Sequence, residues 1–322
     1  MRLAAVDLGS NTIRLLVADV DPAVGLRPVH GEQVITRLGE GLAASGRLAP
    51  APMERAQRAV REYRDRARTL GAERIIAVAT AAVRRAANRD AFLARLGGEP
   101  QLELRVASDA EEARLTLLGV TWGLPAAEGV VCVLDIGGGS TELTVARAAR
   151  VLGSVSLDLG VVPLVERFFR TDPVDWGEYA ACADYVSRCL AAEAWLAIRP
   201  LQPRALIGTA GTITTLAALD LALARYEPGR VQGHRLTRPR LAALRDRVGA
   251  LTIAQRIRLP CLEAGRADLI VTGLAVVMGV VDGLGLAEVL VSDTGLREGI
   301  LLDAIGWSPP AAASRRSGRP VP

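Results

Sequence analysis

The chain contains no lysine; all 39 of its basic residues are arginine. A Walker-type phosphate loop needs its lysine, so that route to phosphate binding is closed. Any phosphate held here is held by arginine, asparagine, hydroxyls and backbone amides. Aromatics make up only 3% of the 322 residues, so the core must be built from Ala, Leu and Val, and the basic stretches lack the aromatic interleaving of a nucleic-acid surface. The four cysteines (Cys132, Cys182, Cys189 and Cys261) form no CxxC pair, which predicts free thiols in a cytoplasmic protein rather than a zinc ribbon or a disulfide framework. No G-x-S-x-G elbow is present, which argues against a Ser-His-Asp hydrolase. Met1-Arg2-Leu3-Ala4-Ala5 leads straight into a strand, with no signal peptide expected. The most apolar run, Leu269 to Val281, is too short for a bilayer and is flanked by Asp268 and Asp282. It reads as a buried helix, and no membrane partner is expected.

Half of the residues are hydrophobic, enough for a large core and for two domains of ordinary size. The net charge is +4, with arginines scattered among carboxylates, as along Met53 to Arg68. Such a pattern is a solvated helix face, so no nucleic-acid partner is expected, although a mild basic bias suits a polyanionic substrate. The richness in Ala, Arg and Gly fits the coding of a GC-rich bacterial genome.

The most informative stretch is Val131-Cys132-Val133-Leu134-Asp135-Ile136-Gly137-Gly138-Gly139-Ser140-Thr141-Glu142. A buried strand delivers a carboxylate to its end, and a glycine turn follows whose backbone can approach an anion. Glu142 then opens a second strand. Taken alone, this is an ordinary glycine hairpin. It has an echo 128 residues earlier, where Val6-Asp7-Leu8-Gly9-Ser10-Asn11-Thr12 follows the same plan of strand, Asp, apolar residue, Gly and polar turn. The repeat suggests two domains of one architecture facing a shared cleft. A third strand–glycine turn, Gly208-Thr209-Ala210-Gly211-Thr212, opens a helix, whose first amides favour an anion.

Elsewhere the patterning predicts a strand over Gln33–Leu38, a helix over Pro52–Leu70 and a strand over Arg74–Ala79. Thr80-Ala81-Ala82-Val83-Arg84 is expected to lead from that strand into a helix through Leu96. Ser108-Asp109-Ala110-Glu111 has capping-box spacing, which places Glu112 in the first turn of a helix that Trp122-Gly123-Leu124-Pro125 ends. Arg225 to Arg235 reads as a polar loop containing His234, a solvated histidine near the cleft.

Three glycine–hydroxyl turns on strand ends are the layout of the actin-like superfamily. The finer residues resemble one branch, the exopolyphosphatase / guanosine pentaphosphate phosphatase family. The matching stretches are Asp7 to Thr12, Ala79 to Arg84, Glu111 to Leu115, Asp135 to Glu142, Gly208 to Thr212, Gly265 to Asp268 and Ser292 to Gly299, in family order. The resemblance is to the short members and implies an α/β fold of two actin-like (ribonuclease H-like) domains with a cleft between them. The expected division is 1–125 and 126–307, followed by a disordered tail, 308–322.

The resemblance also implies chemistry: hydrolysis of the terminal phosphoanhydride of polyphosphate, or of guanosine pentaphosphate, by water. It implies Mg²⁺ or Mn²⁺ at Asp135 and Glu142, Glu112 as general base, and Arg84 as a catalytic residue that gives a fork of donors to the phosphate. The implied phosphate contacts are Ser10, Asn11, Gly137, Gly138, Ser140, Thr209, Gly211, Thr212 and Arg266. Without the resemblance, Glu112 would be read as a residue serving the helix dipole. Arg297 and Glu298 match the family and are read as tying the last helix to the core. The resemblance leaves a homodimer open. Competing readings are a kinase on the same fold, against which no acceptor site is visible, and a non-catalytic sensor of a phosphorylated nucleotide.

Overall fold

A computed structural model describes residues 1–98, 101–124 and 129–309. The first sheet contains β1 (Arg2–Leu8), β2 (Thr12–Asp21), β3 (Gly25–Ile35), β4 (Arg74–Ala79) and β5 (Leu102–Val106), in the order β3-β2-β1-β4-β5. The second contains β6 (Val130–Ile136), β7 (Thr141–Arg147), β8 (Arg150–Leu157), β9 (Ala205–Thr209), β10 (Arg235–Thr237) and β11 (Glu288–Val291), in the order β10-β11-β9-β6-β7-β8. In each, an antiparallel three-strand meander continues into parallel strands on the far side of its first strand. The echo in the sequence is therefore an echo of topology, and the fold is the α/β pair of actin-like domains that the resemblance implies.

The strands feeding the two aspartates are buried on both faces, as their unbroken apolar runs require. The helix Asp109–Gly123 lies between the two sheets. Its Leu115 joins the core of the first sheet, while Leu117 and Val120 join a cluster with Val131, Val133 and Ile207 of the second. Ser108 caps this helix by accepting a hydrogen bond from the Glu111 amide. The Glu111 carboxylate pairs with Arg105 of β5, so the capping is one-way.

Several elements depart from their sequence-based outlines. The third strand begins at Gly25 and ends at Ile35; residues 36–39 form a loop whose Thr36 and Arg37 amides donate to the Asn11 carbonyl. β3 is an edge strand with an exposed outer face, and Pro28 sits at a bulge opposite Val17/Ala18, so its alternation is weak. The lead-in from Thr80 is itself helical at Ala81–Arg85, separate from the expected helix at Arg89–Leu96, and the polar loop before His234 contains a turn of helix at Pro228–Val231. Ile270–Leu284 is the expected buried helix, and no helix among the described residues is long and apolar enough to cross a membrane. The expected division at 125/126 lies outside the described residues, as does the tail from 310 onward.

The last helix, Leu296–Ala304, returns to the first sheet, where Ile300, Leu301 and Leu302 enter its core. It packs on the Asp109 helix through glycines. A Cβ on Gly119 would overlap the Gly295 carbonyl, and one on Gly299 would overlap the Leu115 carbonyl. Gly299→Ala is therefore expected to lower stability by about 1–3 kcal/mol, as overpacking does. Gly98→Ala, which faces open space, serves as the control. Equal thermal midpoints for the two variants would show that the helices can part at no cost.

Candidate active site

The turns after β1 and β6 are built alike. The Gly9 amide donates to the Thr12 carbonyl at 3.2 Å, and the Gly137 amide to the Ser140 carbonyl at 2.9 Å. The Gly137 amide, expected to face phosphate, is thus spent on closing its turn. The amides of Ser10 and Asn11 in one turn, and of Gly138, Gly139 and Ser140 in the other, have no hydrogen-bond partner among the described residues. The two turns meet. A Cβ on Gly138 would lie 2.7 Å from Asn11 Cβ, and one on Gly139 would overlap Ser10 Oγ. These glycines allow one turn to seat against the other, a requirement separate from closeness to an anion.

The meeting turns floor a cleft of about 1140 Å³ between the two sheets. Asp7 pairs across strands with Arg14 of β2, and Asp135 with Glu142 of β7 and Thr209 of β9. Asp135 shares a sheet face with Val131 and Val133, the face that packs on the Asp109 helix. This brings Glu112, in that helix's first turn, to the same cleft. Four carboxylates converge: Asp7, Glu112, Asp135 and Glu142.

Their charges conflict, and proton affinities rise. Burial pushes Glu112 up to about 7, with Arg84 opposing the shift and Asp135 and Asp7 adding to it. Burial raises Asp135 to about 6, with Arg14 opposing and Asp7 adding. Glu142 is held well above the usual carboxylate range by burial and by Glu112 and Asp135, although Ser156 donates to it at 3.0 Å. Burial also raises Asp7, against the pull of Arg14 and Arg297.

Arg84, expected to fork onto a phosphate, instead stands behind this cluster and is absent from the cleft wall, its donors already committed to protein acceptors. It donates to Glu112 Oε2 at 2.8 Å, to the Ala107 carbonyl at 2.9 Å and to Asp109. Glu112 Oε1 has no hydrogen-bond partner among the described residues. Asn11 Oδ1 is likewise buried without one. Ser10, Ser140, Thr209, Gly211, Thr212 and Arg266 all line the cleft. The Thr209 and Thr212 hydroxyls are committed to the Thr294 and Ile136 carbonyls. The space a side chain would take at Gly211 is filled by the guanidinium groups of Arg14 and Arg266, each 2.7 Å from the Cβ position.

The sequence reading passed over Arg14, which lines the cleft and forms no hydrogen bond or ion pair with the described residues. Its only sequence signal was its place two residues after Thr12, on the face that β1 gives to Asp7. Arg266, by contrast, is engaged with Thr215 Oγ1 at 3.3 Å and Gln33 Oε1 at 3.1 Å. Burial and the Arg14 charge lower its affinity for a proton to about 10. His234 turns away from the cleft and bonds Asp220 at 2.7 Å, where Arg240 also binds.

No three His, Cys, Asp or Glu side chains among the described residues close on one point as a metal cage would. The carboxylate donors that converge are nonetheless hard oxygen ligands with unbalanced charge.

Three comparisons bear on this arrangement. The Ppx/GppA phosphatase family model matches residues 16–306. Exopolyphosphatase 2 of Mycobacterium tuberculosis is 36% identical over 318 residues, covering 95% of this chain and 99% of that protein. The guanosine-5'-triphosphate,3'-diphosphate pyrophosphatase of Aeromonas hydrophila is 30% identical over 306 residues, covering 94% of this chain but 59% of its own length. The crystal structure of the Aquifex aeolicus member of the Ppx/GppA family superposes with a TM-score of 0.79 at 32% identity, covering 95% of this chain and 97% of that one.

The Glu112 carboxyl generates a pH prediction for the ligand-free protein. A carboxyl raised from 4.5 to about 7 on folding holds its proton in the folded state after the unfolded chain has lost it. Its contribution is greatest below pH 4.5 and is lost as pH rises to about 7, at up to ~1.4 kcal/mol per pH unit. Glu112→Gln removes that slope. Thermal melts across this window should show the variant gaining on the wild type as pH rises; parallel curves would mean that the burial of Glu112 costs nothing.

Proposed function

The chain belongs to the Ppx/GppA phosphatase family, and from that premise we propose that it is an exopolyphosphatase, releasing inorganic phosphate from the end of polyphosphate by attack of water. The observation that carries this reading is the polarity of the cleft. Open turn amides and a carboxylate cluster occupy one end, and arginines with donors to spare lie beyond it.

In this reading the terminal phosphoryl group lies against the Gly138, Gly139, Ser10 and Asn11 amides, with Ser140 and the first turn of the Ala210–Asp220 helix alongside. Glu112 is the general base. Arg84 holds its Oε2, and Oε1 is free to accept the proton of the attacking water. In the ligand-free protein burial raises Glu112 to about 7, the range that suits a base at neutral pH. The water oxygen bonds to phosphorus as the bridging P–O bond breaks, and the departing chain end keeps that bond's electrons. Arg84 is a positioning residue. Arg14 and Arg266 balance charge on the phosphates behind the reacting one.

Asp135 and Glu142, with Asp7 beside them, are the residues that would hold Mg²⁺ or Mn²⁺. An open set of carboxylates suits an ion that keeps several waters and takes phosphate oxygens as its other ligands. Such an ion supplies charge that offsets the phosphoryl oxygens. On the same reading the two domains are 1–125 and 126–307, with the final helix of the second docked on the sheet of the first.

A second reading, guanosine pentaphosphate phosphatase, is favoured by Tyr226, which stands 40% exposed in the cleft beside Asp293 and offers an aromatic face to a base.

Phosphate release with a divalent cation, from short and long polyphosphate, guanosine pentaphosphate and ATP, tests both. Polyphosphate should be turned over without an added acceptor, and a chelator should abolish release. Glu112→Gln should lower kcat by about 10²–10⁴. Undiminished release by that variant would sink the base assignment, and no release from any polyphosphate would sink the exopolyphosphatase reading.

A further inference from the structure

Arg297 lies in the first turn of the last helix, where the sequence reading gave it only a tethering role. Its side chain lines the cleft and is 20% exposed. It approaches Glu298 at 3.5 Å but donates no hydrogen bond to any described residue. Glu298 is otherwise occupied, accepting from the Gly295 amide at 2.8 Å.

A tethering arginine in this protein looks different. Arg256, 1% exposed, donates to the Val248 carbonyl at 2.7 Å and to the Ala267 carbonyl at 3.3 Å. A guanidinium has five donors in a rigid fork, and one left unspent at the wall of a cleft is matched to an anion.

The strand register places Arg297 along the cleft. Its Nη1 lies 4.0 Å from the Cβ position of Gly31. Gly31 pairs with Leu16, whereas Gln33 pairs with Arg14, opposite Asp7. Gly31 is therefore one pleat repeat, about 7 Å, further from the carboxylates than Arg14 and Gln33. Gln33 in turn holds Arg266 from the other side of the cleft. The three guanidinium groups line the same cleft, with Arg297 in charge reach of Arg266 and of Asp7 and its fork set beside the Gly31 step of the strand. Arg14 and Arg297 both push down the proton affinity of Arg266, as unscreened cations sharing one space do.

We propose that Arg297 is a substrate-binding residue that grips phosphate units behind those held by Arg14 and Arg266, and so sets a preference for longer chains. The inference rests on the exopolyphosphatase reading. On this placement the shortest condensed phosphate would end before Arg297, and a chain of several units would reach it.

The test compares wild type, Arg297→Gln and Arg297→Lys on the shortest polyphosphate turned over and on a chain of many units. The Gln variant should reduce the ratio of kcat/KM, long over short, about tenfold, the loss expected for one charge-assisted contact. The reduction should reside in KM. The Lys variant, which keeps the charge and loses the fork, should fall between. A loss that is equal at all lengths, or that resides in kcat with a lowered thermal midpoint, would show a structural role and overturn the proposal.

Calorimetric binding of long polyphosphate to the full chain in chelator, where nothing turns over, separates this proposal from the one it rests on. Wild type should bind about tenfold more tightly than Arg297→Gln, and equal affinity would overturn the Arg297 assignment. Binding by a wild type that releases no phosphate with metal present would overturn the exopolyphosphatase reading alone. If the Gln variant does not fold, the Lys variant carries both comparisons.

Discussion

Four carboxylates crowded into one cleft are the constraint on which the rest of the structure turns. Burying like charges together is unfavourable, and the raised proton affinities of Glu112, Asp135 and Glu142 record that cost. Nothing in a hydrophobic core would assemble such a group. It exists because each carboxylate is fixed by something else: Asp7 and Asp135 by strand register, Glu142 by its pairing opposite Asp135, and Glu112 by a helix wedged between two sheets. Arg84 and Arg14 offset part of the repulsion. Arg84 does so by direct hydrogen bonds from behind, which hold Glu112 still and leave the cleft face clear.

The same constraint explains why the protein is built twice. A turn that offers a few free amides is a weak anion site. Two such turns seated against each other, Gly138 on Asn11 and Gly139 on Ser10, bring the unbonded amides of both to one cleft. Their contact also makes the site depend on how the two sheets are held relative to one another. Holding them falls largely to the Asp109 helix, and the glycine-mediated packing of the last helix against it keeps it in place. A backbone contact at Gly299, made against Leu115, is in this sense coupled to the position of Glu112, about one turn of helix away.

Much of the fold could be read from the residues because its signals are local. Asp7 and Asp135 each end an apolar run before a glycine turn, Ser108 caps the helix that carries Glu112, and the apolar run before Asp282 is the buried helix it resembled. What could not be read depends on partners far away in the chain. β3 has little alternation because it is an edge strand, so its extent is set by β2. Arg14 looks like any polar residue in a strand until the register puts it opposite Asp7. Gly137 and Gly138 look interchangeable until one amide is found to close the turn. Glu112 shows the same limit from the other side. Its spacing fitted a helix dipole as well as a base, and only the sheet packed against the helix shows that it faces the cleft.

The absence of lysine gives this last point a chemical form. When every cation is an arginine, residue type says nothing about role, and the number of donors already spent says a great deal. Arg256 is consumed by carbonyls in the core, Arg84 by two carboxylates and a carbonyl, and Arg266 is divided between a threonine and a glutamine. Arg14 and Arg297 reach the cleft with their forks unbonded. Sorting identical side chains by what they hold separates the framework from the surface that meets the substrate. On the proposed reading, it also puts the unspent charge on the cleft wall that a chain of phosphates would follow.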